Sequence, residues 1–443
     1  MTDSGVRRKI SKTTDAHNRA SARPLAARGG FFRRWLVLAL AAAILLAGSI
    51  GTAQAQRRKG KPTSPVNDFQ SRHFLIHTDL TPKEADKLLK ELETMLGLIS
   101  TYWGRPTSGV LECYIVKDLK AWPAEMLAKF EPIGLAQIRD EVGVCVSQRL
   151  TDGETFVAKS IVYSTSKDGV PQHEAVHAYC NQTFGRTGPK WYAEGMAELG
   201  QYWINGKKGV NADPLAIEYL NSRKPKSLAQ LIITDSVLGG SWQDYCCWWS
   251  LCHMLENNPN YTKDFRILGN GILSGNGLSF EKVFAPKAQE ITFEYEHFMD
   301  HLEAGLRVDL MAWDWKRKFT PLKTSGRTIS AGVMAGKGWQ PTSLTVTPGI
   351  TYEYTAKGEW KTSRGGKKIT ADGDADGNGR LMGILMRDYK LSKPFPMKAA
   401  GKFKFSVTAD LYVRCNDKWA ELADNTGRLT MRINVPREEK DAN

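Results

Sequence analysis

Two histidines four residues apart, His173 and His177, constrain this chain more than any other feature. On a helix that spacing stacks both imidazoles on one face, one turn above the other, where they can bind a single divalent ion. They belong to the stretch Pro171–Gly200, PQHEAVHAYCNQTFGRTGPKWYAEGMAELG. Glu174 projects beside the pair, where it can hold a water at the ion and take its proton. Gly185, Gly188 and Pro189 predict the end of that helix, and a second helix should start near Trp191. A helical hairpin of this length returns Glu194 toward the histidines as a third ligand. Glu198, one turn further, can then accept a hydrogen bond from a ligand histidine. The two glutamates share a helical face, so the reverse assignment stays open. Two neutral imidazoles and a carboxylate with one open position suit Zn2+ best.

With 443 residues the chain should hold two or three domains, each able to bury its own core. A hydrophobic share of 42% with 24% charged residues excludes a disordered, collagen-like or many-span membrane chain. The net charge of +14 invites a nucleic-acid reading, but residues 1–55 carry nine Lys/Arg against Asp3 and Asp15, half of that excess. No nucleic-acid motif stands behind the remainder. Residues 1–55 read as an export signal: basic residues ending in Arg33-Arg34, an apolar run from Trp35 to Ile50, and Ala53-Gln54-Ala55 as a cleavage site. An uncleaved membrane anchor is the alternative, and that segment is the one expected membrane contact. The expected location is periplasmic, cell-surface or secreted. Seven cysteines, with no CxxC pair, indicate neither a disulfide scaffold nor a cysteine metal site.

After a basic linker at 56–70, strands are expected at His73–His77, Val110–Val116 and Phe156–Tyr163, with a helix at Pro82–Trp103. Helices should follow at Pro171–Thr183, Trp191–Trp203, Ser227–Ile233, Trp242–Glu256 and Phe293–Leu306. The expected fold class is therefore α+β over 71–306, a small sheet beside a helical subdomain. A connector at 307–340, an all-β sandwich at 341–436 and a tail at 437–443 complete the organisation. Sandwich strands are expected at Ser343–Thr347, Thr351–Ala356, Leu381–Met386, Phe403–Val407, Leu411–Arg414 and Arg428–Ile433.

HEAVH followed by WYAEGMAE resembles the gluzincin metallopeptidases, the class containing thermolysin and the zinc aminopeptidases. It looks most like the peptidase-MA-like branch of exported bacterial proteins. The resemblance spans roughly Arg72–Leu306 and implies a gluzincin-like fold, with His173, His177 and Glu194 as zinc ligands and Glu174 as general base. The spacing from His177 to Glu194 is slightly shorter than is usual in the aminopeptidases. Tyr245, opening a later helix, is the candidate oxyanion donor by similarity to gluzincins, with a packed aromatic as its alternative; His253 is a weaker candidate. His73, His77, His297 and His301 are expected to be structural.

Two acidic loops stand out beyond residue 340. Asp372, Asp374 and Asp376 copy the start of an EF-hand, but Gly383 falls where the bidentate glutamate belongs, so that reading is rejected. Asn416–Gly427 (NDKWAELADNTG) can close oxygen ligands from both ends on Ca2+. This string, with Gly358-Glu359-Trp360 and Gly379–Gly383, resembles the small bacterial galactose-binding calcium lectins. The resemblance implies Asp417, Asp424 and Asn425 as side-chain ligands and Glu421 as a carbonyl ligand; the lectins' tyrosine has no clear match near Thr362. A ligand-free turn rich in Asp and Asn is the alternative.

The expected function is an exported zinc metallopeptidase acting on a peptide or protein, with a sandwich that binds calcium and carbohydrate. The rival is a non-catalytic carbohydrate-binding or scaffold protein that keeps the fold without turnover.

Overall fold

Alternation builds the first sheet. In β2 (Phe74–Thr78), Phe74, Ile76 and Thr78 are buried while the residues between are only partly covered. The same pattern recurs in β3 (Leu111–Val116). The computed structural model describes residues 65–152, 155–204, 206–233 and 240–437, so the expected export signal lies outside the described residues. β1 (Asn67–Gln70) precedes β2 as an antiparallel hairpin partner, starting inside the expected basic linker. Pro82–Trp103 forms the first long helix, opened by a reciprocal Thr81–Glu84 cap. β3 lies parallel to β2 and to β5 (Thr155–Thr165). β4 (Gly143–Asp152), not anticipated from the sequence, pairs antiparallel with β5 and closes the order β1-β2-β3-β5-β4.

The helical part packs on this sheet. Val170–Phe184 carries the two histidines, Lys190–Gln201 returns alongside it, and Trp242–Asn257 crosses behind. Val170–Phe184 is buried nearly all round, including Ala175, Val176, Ala178 and Tyr179, which is how a helix at the centre of a domain reads. Gly195 makes the close crossing possible: a Cβ there would stand 2.4 Å from Cys252 Sγ and 2.8 Å from the Trp248 carbonyl oxygen. The helix expected at Phe293–Leu306 instead runs Ala288–Asp300. Its Glu294 is buried and accepts hydrogen bonds from Asn258, Asn260, Tyr261 and Trp315.

Beyond Met311 the elements formed by the described residues are β strands apart from one short 3-10 helix. In chain order the strands are β6 (Thr320–Pro321), β7 (Thr328–Met334), β8 (Gln340–Val346), β9 (Thr351–Lys361) and β10 (Leu381–Arg387). They continue with β11 (Lys390–Leu391), β12 (Phe395–Pro396), β13 (Ala400–Lys404), β14 (Ala409–Cys415) and β15 (Thr426–Asn434). One sheet runs β11-β10-β14-β8-β6, with β12 also on β10, and the other β13-β9-β15-β7. Inward residues of both, among them Tyr352, Leu381, Leu411 and Met431, share one core. The sandwich begins earlier than the composition shift implies: β7, inside the expected connector 307–340, pairs along its length with β15. Helices and sheets are segregated along the chain, an α+β domain followed by a β sandwich. Among the described residues no helix is long and apolar enough to cross a membrane.

Candidate metal centre

The helical hairpin brings His173, His177 and Glu194 together. The Nε2 atoms of the two histidines lie 3.2 Å apart, and Glu194 Oε2 lies 3.3 Å from His173 Nε2 and 3.2 Å from His177 Nε2. Bonds of about 2.0–2.1 Å to a tetrahedral zinc ion set its ligand atoms about 3.3 Å apart, so this donor set matches that ion. Glu198 takes the other side of His173, its Oε1 3.2 Å from Nδ1. Glu194 thus faces the shared point between the imidazoles and Glu198 stands behind one of them. Among the described residues this is the one group of three or more His, Cys, Asp or Glu side chains arranged to share an ion.

Burial pushes the Glu194 carboxyl up, but hydrogen bonds from His173 and His177 outweigh it and hold the group well below the usual carboxylate range. Burial likewise favours a neutral His173, yet Glu194 and Glu198 raise it above the ordinary histidine value. Glu174 is buried beside them, and burial lifts its affinity for a proton, opposed by the two histidines and by the Cys145 backbone N–H. A carboxylate in that condition takes up a proton more readily than one in water.

These groups line a cleft of about 870 Å3. Tyr245 belongs to its wall, its ring 6.1 Å from that of His173 and 26° from parallel. Burial, then Glu194 and Glu174, raise the Tyr245 hydroxyl above its ordinary value, so it keeps its proton and can donate it in a hydrogen bond. Another part of the wall is the edge strand β4 through Gly143, Val144 and Cys145. Gly143 is required there: a Cβ would lie 2.7 Å from Glu174 Cγ and 3.1 Å from Oε1. The alternating run around Val142, Val144 and Val146 was the signal available for this strand. Tyr202, also in the cleft, has its hydroxyl raised above the ordinary value by burial and the Glu198 carboxylate, and was not singled out from the sequence.

The other described histidines stand apart from this centre. His253 is buried beneath Trp249 and Phe298, and His73 and His77 pair with Glu93 and Asp68. In the sandwich, the Asp374 carboxylate caps its own loop by accepting from the Asp376 and Asn378 backbone N–H groups. The loop expected to hold calcium winds as a short 3-10 helix, Trp419–Asp424. Asp417 Oδ2 and Asn425 Oδ1 are buried there without hydrogen-bond partners. Burial raises the Asp417 carboxyl, opposed by Asn425 and the Lys418 backbone N–H, while Glu421 and Asp424 add like charge. Asp424 Oδ2 accepts from the Arg364 backbone N–H at 3.4 Å, while the Glu421 side chain turns to Lys418, 2.8 Å away. Unsatisfied oxygens with excess negative charge fit a hard cation such as Ca2+.

No family model matches this chain, and no curated protein matches it. Among solved structures it is similar to a chain described as "EclA N-terminal domain; PllA-like lectin", at 16% identity over 24% of this chain and 95% of that one, with a TM-score of 0.19.

Proposed function

We propose that the protein is an exported zinc-dependent metallopeptidase of gluzincin type, from the peptidase-MA-like branch. One observation carries this reading: two imidazole nitrogens and a carboxylate oxygen stand 3.2–3.3 Å from one another in an open cleft, with a buried glutamate beside them. His173, His177 and Glu194 would hold the zinc ion, which when bound would supply Lewis acidity to a scissile carbonyl and to water. Glu174 takes the proton from the attacking water and delivers it to the leaving amine. Tyr245 donates a hydrogen bond to the oxyanion that develops on the carbonyl. Glu198 orients His173 through Nδ1.

The edge strand supports a peptide as substrate. β4 ends its sheet beside Glu174, and among the described residues no strand pairs with its outer side. An extended peptide can add to such an edge through main-chain hydrogen bonds, which presents its amide groups to the cleft. We infer further that the sandwich is a lectin-like domain binding calcium, and carbohydrate through it, supported by the unpartnered oxygens of Asp417 and Asn425.

Cleavage of casein or of a peptide library by the mature chain, assayed beside Glu174→Gln with zinc content measured on both, tests the enzyme. Cleavage lost in the variant with zinc retained supports it. A wild-type chain that holds zinc and cleaves nothing across a broad library points to the scaffold role. A glycan array read with and without calcium tests the second domain.

A further inference from the structure

The proposed calcium loop also forms part of the contact between the two domains. Trp419, between Asp417 and Glu421, lies against His301 of the first domain, ring centroids 4.7 Å apart and planes 23° from parallel. It meets His297 edge-on at 5.1 Å. Arg414 lies over the same indole, its guanidinium carbon 3.8 Å from the ring centroid. That guanidinium is tied to the loop through the carbonyl oxygens of Cys415 and Asp417. Ala420 then donates its backbone N–H to Glu303 Oε1 at 3.1 Å. These contacts converge on a loop in which two buried oxygens are left unsatisfied within the protein: Asn425 is 8% exposed, and its Oδ1, like Asp417 Oδ2, has no partner.

We propose that Asp417–Asn425 is a cation-dependent clasp, in which a calcium-like ion held by Asp417, Asp424 and Asn425 fixes Trp419 and Ala420 against His301 and Glu303 and so docks the sandwich on the first domain. The proposal rests on the calcium reading and goes beyond it, giving the ion a partner surface inside this chain. The physical link is short. Trp419 is flanked in sequence by the ligands, so its position follows from where their oxygens converge. Without an ion, the carboxylates of Asp417 and Asp424 repel one another, which favours an opened loop. An ion that binds the docked form more tightly than the undocked one stabilises docking by the same factor, and docking raises affinity for the ion in return. Trp419 is also engaged on the first domain and is not free to stack on a sugar.

Hydrogen exchange on the full chain, with calcium and with EGTA, tests this when run beside calorimetric titration with CaCl2. The expected result is calcium binding together with about fivefold slower exchange of the amides in 297–303, while 173–177 is unchanged. Trp419→Ala should still bind calcium but lose the slowing in 297–303, and Glu303→Gln, at an exposed position, should reduce it. Asp417→Asn with Asp424→Asn should remove both binding and slowing. Calcium binding with identical exchange of 297–303 in both buffers overturns the clasp and leaves the calcium site standing. Absence of calcium binding by the wild type overturns the calcium reading and the clasp with it.

Discussion

His173 Nδ1 and Glu198 Oε1 lie 3.2 Å apart although they belong to different helices. A carboxylate on that side of the ring favours the proton on Nδ1, which leaves Nε2 to face a metal. Glu198→Ala should therefore weaken zinc affinity about 10- to 100-fold without abolishing it, since partners of this kind contribute that much. Glu194→Ala, which removes a proposed ligand, should cost more. Competition against a chromophoric chelator checks the ranking; equal losses would show that Glu198 is itself a ligand.

Gly143 packs against Glu174, the proposed general base, rather than against the proposed metal ligands. Adding a methyl group there places a carbon 2.7 Å from Glu174 Cγ, so either β4 or Glu174 has to move. A misplacement of about 1 Å can cost about 10²-fold in rate. Gly143→Ala should lower kcat by about that factor while zinc content stays at the wild-type level. An unchanged kcat would mean that Glu174 has room the geometry does not show.

Tyr245→Phe removes one hydroxyl and keeps the ring beside His173. As an oxyanion donor it should cost about 10²- to 10³-fold in kcat with KM little changed. As a packed aromatic it should cost almost nothing. Steady-state kinetics on one peptide separate the two outcomes.

The expected hairpin and its two histidines were legible because both depend on local spacing: four residues from His173 to His177, then glycine and proline turn signals before Trp191. What local spacing cannot report is partnership across the chain. β4 is a strand because β5 lies beside it. Glu294 is tolerated in the interior because Asn258, Asn260, Tyr261 and Trp315 each donate to it, an arrangement visible only once the fold has gathered them. β7 fell within the expected connector because its middle, Ser330–Gly332, carries little of the β-branched and aromatic character that marks a strand. The helix around Phe293 was placed late because His301 and Leu302 face Trp419 and the core, which mimics a helical apolar pattern past the true end at Asp300.

Domain docking should depend on pH through His297 and His301. Burial lowers His297 to about 3, with His301 and Arg414 adding to it, and burial with Arg414 lowers His301 to about 4. In the unfolded chain both return to about 6.5, so that state binds more protons below this pH. Their stabilising effect is complete above about pH 6.5 and is lost as pH falls toward 4. Glu256, pushed up to about 7 by burial, acts with the opposite sign, so the comparison has to be made between chains. Between pH 7 and pH 5 the melting temperature of the parent should fall about 2–4 °C further than that of a His297→Phe, His301→Phe variant. Parallel pH profiles for the two chains would contradict this.

X-ray absorption at the zinc edge on the mature chain tests the central claim most directly, because it reads the atoms around the ion. The account predicts one zinc per chain, a shell of nitrogen and oxygen at about 2.0–2.1 Å with two imidazoles, and loss of the metal in His173→Ala. A chain purified without zinc that does not take it up, a sulfur shell at about 2.3 Å, or zinc retained at the same stoichiometry in His173→Ala would contradict it.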